Sequence, residues 1–489
     1  MVETVRKSDA GVHALKTPRC RSAAGIQVVV FLAALSGPLP TRADVMVGLA
    51  ANPHSPGQPS IDAAGRAANL GMHAAAGESG SPCYVNVNVV GGANDGSSWM
   101  NAYTGLQAAL SRSDCHEIWV AKGTYLPTFG PGGRNRFFNF TISPQAVFGG
   151  FEGIETSRDQ RDWQGNPTVL SCDLDRDDQP GFVNHAENCY HVAKMTNLDQ
   201  SSTLDGFIVR GGNADLEPDF ENVGGGIIIR SSSVPLSNLV FTENRVVNGV
   251  NFAAAGGGLY VSQGSQVTVR DAAFIGNQGD VGGAVAVDQG SAVDMAGATL
   301  SGNQALFGAA FLVENATLDL TNATLYANTR LSAGSTAFAV VLIDGGSTVL
   351  NNVTFNANEG AIASWVIQAA ADIAIHNSIL WGNAGEWGDL GSGSPGTYSV
   401  DDSIIQGGCP ASFGSCIHVL DEDPRLGSPE NHGGQTRTMA LAFGSPAIDT
   451  AGGLFACADT DQRGVARPQG LACDMGAFES DVIFADGFE

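Results

Sequence analysis

The chain has 489 residues, with 49 Asp or Glu against 24 Lys or Arg and a formal net charge of −25. A surface this acidic repels phosphate backbones and anionic lipid heads, which excludes nucleic acid as a partner. The excess of carboxylates suits cation binding, against the plainer and preferred reading of solubility in salt.

Lys16, Arg19 and Arg21 precede an apolar run over 26–35, Gly37 and Pro38 break it, and Thr41-Arg42-Ala43 offers a small-residue cleavage site. Residues 1–43 therefore read as a signal peptide. The run is too short to span a bilayer, so the exported chain is not expected to be an integral membrane protein. Residues 44–82, rich in Ala, Gly, Pro and Ser without periodicity, read as a flexible linker. The text Tyr84-Val85-Asn86-Val87 then predicts a strand. Trp99, Tyr103, Leu106 and Leu110 recur at helical spacing, predicting an amphipathic helix that covers an open end of the fold.

Of nine cysteines, Cys20 leaves with the leader. Closeness in sequence points to Cys83 with Cys115, Cys172 with Cys189, Cys409 with Cys416 and Cys457 with Cys473, while connectivity stays open. All eight lie outside 237–383, so the irregular ends are stapled, which implies an oxidising compartment. Asp173, Asp175, Asp177 and Asp178 alternate closely enough for a structural Ca²⁺ site, against the plainer reading of an acidic turn. Asp215, Glu217, Asp219 and Glu221 are a weaker case of the same kind. His185, His191, His376 and His432 show no ligand spacing, His376 is expected to be solvated, and no zinc or Ser-His-Asp pattern occurs.

A short phrase ending in an aromatic or Leu, two spacers and Asn recurs at Phe241, Phe274, Leu300, Leu325, Phe355 and Leu380, closing on Asn244, Asn277, Asn303, Asn328, Asn358 and Asn383. Counting back from each closing Phe or Leu gives aligned columns. The first runs Val234, Val267, Val293, Leu318, Thr348, Ile373, and the second Leu236, Val269, Met295, Leu320, Leu350, Ile375. Spacing of two within each set is the pleat of a strand. Between the strands of each set stand Asn238, Asp271, Gly297, Asn322, Asn352 and Asn377, residues that tolerate a left-handed backbone. They predict a corner whose stacked amides bond one another along the axis. A third strand precedes each pair, as in Gly256-Gly257-Gly258-Leu259-Tyr260-Val261 and Gly282-Gly283-Ala284-Val285-Ala286-Val287. The repeat therefore predicts an all-β solenoid, a single-stranded right-handed parallel β-helix with three strands per coil over 83–416.

These paired signatures, Gly282-Gly283-Ala284-Val285 and the Phe-to-Asn phrases, resemble the polymorphic outer membrane protein repeats within the pectin-lyase-like β-helices. The resemblance covers most of 83–385. It implies that 117–125 is the first full coil and that 149–163 is an early stretch of such secreted chains. Arg158, Asp159, Arg161 and Asp162 are expected there as ion pairs beside the helix. From 417 the text changes: 421–426, 431–441, 444–449, 461–470 and 473–479 resemble a choice-of-anchor Q domain, with Gln435 where the pattern has Pro. The resemblance implies an irregular C-terminal cap over 417–479, pinned by Arg463, Arg467, Asp474 and Glu479, and a short tail over 480–489 like those of other secreted Gram-negative proteins.

Fold does not fix function. Aligned on the corner, the outward columns of the first strand read Tyr260, Ala286, Phe311, Val341, Val366 and Ser262, Asp288, Val313, Ile343, Gln368, without a catalytic pair. Glu314 and Asp344 alone share a position on consecutive coils, as a retaining glycosidase would need. The chain is thus expected to be a monomeric, non-catalytic protein, secreted or on the outer cell surface, adhesin-like or contacting extracellular polysaccharide or host-cell molecules. The alternatives are a polysaccharide lyase or glycosidase acting through loop insertions, and a structural spacer.

Overall fold

The computed structural model describes residues 81–215, 222–247, 254–331, 340–360, 371–384, 396–409 and 414–480, with short strands at Gln27–Val29, Gly48–Ala50, Ile362–Ser364 and Leu390–Ser392. The leader and linker otherwise lie outside the described residues, as do Glu217, Asp219, Glu221, Val366, Gln368 and the tail from 481.

The chain winds into a right-handed parallel β-helix. In a regular coil the first strand is Leu259–Ser262, the second Gln266–Arg270 and the third Ala273–Ile275. Each pairs in parallel with its counterpart one coil on, Val285–Asp288, Ala292–Ala296 and Thr299–Ser301. In the next two coils the three strands fuse into 16-residue runs, Phe311–Tyr326 and Val341–Asn356, which pair along their whole length. The inward columns register as the sequence aligns them: Val267 pairs with Val234 and Val293, and Phe274 with Phe241 and Leu300. Those side chains form one continuous core, in which the Phe241 and Phe274 rings stack at 4.5 Å. Thr348, the polar residue in its column, is buried with an unpartnered hydroxyl.

Asn238, Asp271, Asn322, Asn352 and Asn377 all take φ of 50–54°, and Gly297 takes 73°. Two further left-handed corners occur in each coil. One follows the first strand at Ser231, Gln263, Gln289 and Asn315; the other precedes each closing Asn, at Glu243, Gly276, Gly302, Ala327, Ala357 and Gly382. This last bend turns the closing Asn inward, and there the amide ladder forms. Asn277 Nδ2 donates to Asn303 Oδ1 at 3.0 Å and to Phe241 O at 3.0 Å, and Asn277 N also donates to Asn303 Oδ1 at 3.0 Å. The pattern repeats from Asn244 through Asn303, Asn328 and Asn358 to Asn383. The corner amides, expected to form that ladder, mostly do not, because their side chains point out of the coil.

Asn238 Nδ2 donates to Asp205 Oδ1 at 2.8 Å, and the later corner amides bind the C-terminal region. Asn322 Nδ2 donates to Thr460 O at 2.7 Å, Asn352 Nδ2 to Asp474 O at 3.2 Å and Asn377 Nδ2 to Phe455 O at 3.1 Å. Asn352 Oδ1 accepts from Ala458 N, and Asn377 Oδ1 from Gly452 N. Gln462 reaches further down, donating to Ala298 O and accepting from Thr324 Oγ1. The C-terminal region is thus a strap along one flank. Within it Arg467 Nη1 meets Glu479 at 2.7 Å, both buried, and Arg463 meets Asp461 at 2.8 Å while donating to Glu479 O. Parallel pairing runs through Ser415–Leu420, across the 416/417 point where the sequence text changes.

At the other end the helix is short, Leu106–Leu110, and its Leu106, Ala109 and Leu110 cover the first coil's core. Tyr103 instead bridges Val85 in strand geometry, and Trp99 packs with Tyr84, Trp119 and Phe151 on the outer face. Disulfides join Cys83–Cys115, Cys172–Cys189, Cys409–Cys416 and Cys457–Cys473. Among the described residues no helix is long and apolar enough to cross a membrane.

Asn303→Ala leaves the buried Asn277 N–H and amide without their acceptor. It should cost about 3 kcal/mol in urea unfolding, whereas Asn383→Ala, at a half-buried position where water can substitute, should cost about 1 kcal/mol.

Candidate functional site

The first strands bring together a column that the sequence alignment splits. Tyr260 pairs with Ala286, Ala286 with Leu312 and Leu312 with Leu342, and at the strand ends Asp288 pairs with Glu314 and Glu314 with Asp344. Phe311, Val341, Val313 and Ile343, expected to face outward, are in the core. The slip has a simple cause. Asp288 pairs with Glu314 but Ala292 pairs with Thr317, so the turn after the first strand is one residue shorter from the later coil onward, and counting back from the corner overshoots by one. The true outward column of Ile228, Tyr260, Ala286, Leu312 and Leu342 is itself buried, against Val223, Ala255 and Val281.

Correct register adds Asp288 to Glu314 and Asp344, giving three carboxylates on successive coils, about 4.8 Å apart. They stand at strand ends and are 4%, 9% and 7% exposed. The Tyr260 hydroxyl donates to Asp288 Oδ2 at 2.9 Å, and Asp344 Oδ1 has no partner. Burial pushes Asp288 and Asp344 up to about 6. Burial, reinforced by the charges of Asp288 and Asp344, pushes Glu314 to about 8. At neutral pH Glu314 therefore keeps its proton. The cation nearest to it by register is Arg230, two coils below Asp288 through Ser262.

A second acidic group sits on the loop closed by Cys172–Cys189. Asp173, Asp177, Asp178 and Glu187 each offer an oxygen within 4.8 Å of the others. Asp175, expected to share this group, is exposed outside it. The chain reverses at Arg176, with φ of 62°, and Asp173 accepts the N–H groups of Asp177 and Asp178, which gathers 173, 177 and 178 and leaves 175 on the far side of the turn. Glu187 carried no sequence signal, being nine residues beyond the Asp run. Burial raises Asp178 to about 7, with Asp173 and Glu187 adding to the shift.

The remaining candidates have structural partners. Asp215 pairs with Arg134 at 2.6 Å. Arg161 pairs with Asp205 at 2.8 Å and Arg158 with Glu117 at 3.7 Å, both guanidinium groups lying over Phe148, so this loop covers the outer sheet face instead of flanking the helix. His376, expected in solvent, is buried by the strap: it stacks on Phe455 at 3.8 Å and bonds Asp401 at 2.7 Å. His191 Nδ1 lies 3.0 Å from Gly224 O, and His432 Nδ1 3.0 Å from Thr438 Oγ1.

The sign of the column's pH dependence follows from raised carboxyl pKa values. Each group binds its proton more tightly folded than unfolded. The stability it adds is whole below the unfolded value near 4 and is lost as pH climbs through about 6 and then about 8. The urea midpoint should fall between about pH 5 and about pH 9, and Glu314→Gln should flatten the upper part of that fall. An equal fall in both proteins would contradict the assignment.

No family model matches the chain, and no curated protein matches it. A solved structure titled "Crystal structure of pectate lyase Pel9A" aligns over 82% of this chain and 97% of its own, at 15% identity and a TM-score of 0.40.

Proposed function

We propose that this chain is an exported protein that works outside a Gram-negative cell as a non-catalytic β-helical surface, adhesive or contacting polysaccharide. The observation that carries the reading is the placement of the four disulfides. Each staples an irregular segment outside the coils of 237–383, a device that persists only in an oxidising compartment. In this reading residues 1–43 are the signal peptide, 44–82 the linker, 83–416 the β-helix of polymorphic-outer-membrane-protein-like repeats, 417–479 a choice-of-anchor Q-like module and 480–489 a tail. The hydrogen bonds between this region's backbone and the coil corners support a module that packs along the flank of the β-helix and folds with it. A monomer suits an acidic surface that repels its own copies.

The carboxylate column favours one second reading. Two neighbouring carboxyls at strand spacing, one of them protonated at neutral pH, have the chemistry of a retaining glycosidase pair. Burial of all three and the distance of any cation in their column argue against it, because a catalytic acid must touch substrate.

The test is to express the full chain, fractionate the cells, and incubate the purified protein with pectate, alginate and neutral polymers. Export with retention on at least one polymer and no reducing ends or unsaturated products is the expected result. Reducing ends that vanish in Glu314→Gln would replace the first reading with the second. Export with neither retention nor turnover, and a blank cell-binding assay, would leave a structural spacer.

A further inference from the structure

We propose that Asp173, Asp177, Asp178 and Glu187 bind one calcium ion, which cross-links the two arms of the disulfide-closed loop 172–189. Four carboxylate oxygens lie within 4.8 Å of one another, a separation that one cation can bridge. Acidic groups gather on many surfaces, and this one differs in what lies buried beneath it.

The Asp178 side chain has no solvent exposure, yet its Oδ1 accepts no hydrogen bond. Asn188 is fully buried and pressed onto the same carboxylate: its Nδ2 donates to Asp178 Oδ2 at 3.0 Å and to Gly211 O at 2.7 Å, while its Oδ1 has no donor. Glu187 Oε1 is a third buried oxygen without a partner. His185, 2% exposed, directs Nε2 to within 3.3 Å of Asp178 Oδ1 without hydrogen-bond geometry. Three buried oxygens in one group without a hydrogen bond are costly unless a positive charge is placed among them.

Protein cations do not fill that role. Among the described residues no Lys or Arg forms an ion pair with any of the four carboxylates. Arg210, close enough to favour the charged form of Asp178, has Glu243 as its own partner at 3.7 Å. The donor set is oxygen only, on an irregular loop, which suits the larger and geometrically tolerant Ca²⁺ better than Mg²⁺, with its strict octahedron and retained water. The location gives the ion a purpose. Cys172 N donates to Arg210 O and Asn213 N to Cys189 O, so both ends of the loop are already tied to the next coil, and the acidic group is where one arm of the loop would be tied to the other.

The full chain, stripped with chelator and dialysed, should take up one Ca²⁺ in calorimetric titration, and its thermal midpoint should rise with calcium. Asp178→Asn and Glu187→Gln should each weaken binding at least about tenfold, while Asp175→Asn, exposed outside the group, should bind as the parent does. Melts in chelator, where neither variant should fall below the parent, separate loss of the site from loss of the fold. No heat and an unmoved midpoint at about millimolar calcium would overturn the proposal, as would parental affinity in Asp178→Asn and Glu187→Gln. Equal affinity for Mg²⁺ would overturn the choice of ion.

Discussion

The buried amide ladder from Asn244 to Asn383 is the interaction on which the rest of the molecule depends. Each internal amide spends its Oδ1 on the backbone and side-chain N–H groups of one neighbouring Asn, and its Nδ2 on the next Oδ1 and a main-chain carbonyl. No donor is left over, so a row of polar side chains can lie in an apolar core at little cost. The same closure fixes register. A coil slipped by one residue would bury unpaired amides and turn the Phe and Leu column outward together.

Fixed register is what makes the outside of the coils meaningful. Corner amides stacked at constant spacing offer a regular set of donors and acceptors, and the C-terminal strap satisfies them from Asn322 to Asn377. The strap supplies no long ladder of its own. Its folding is tied to the coils it crosses, with the buried Arg467–Glu479 pair holding its inner turns together. The same stacking repeats an acidic position from Asp288 to Asp344 and concentrates like charge in a dry place, which the molecule relieves by keeping Glu314 protonated.

The two acidic groups differ in kind. On the strand face burial raises all three carboxyls, Glu314 furthest, and Tyr260 donates to the lowest of them. On the loop, Asp178 Oδ1 and Asn188 Oδ1 are buried without a hydrogen bond, a need that an external cation would meet. Burial together with partner count, not the number of Asp residues, separates a self-contained stack from a ligand site.

The sequence by itself determined the solenoid, its inward columns and its left-handed corners at Asn238 to Asn377, because pleat periodicity and the steric cost of positive φ act locally and repeat in every coil. It also marked which Asp residues crowd the 172–189 loop. Only the tertiary structure decided which Asn row would form the ladder, since both rows tolerate a bend and the choice lies in which one the third corner turns inward. The register of the first strand escaped sequence counting because a one-residue change in a turn leaves no periodic trace. Asp288 joined Glu314 and Asp344, and Glu187 joined the Asp loop, through chain reversals that no local pattern encodes. His376 shows the limit most plainly: an outward strand position means solvent only until a strap seventy-odd residues later in the chain lays Phe455 across it.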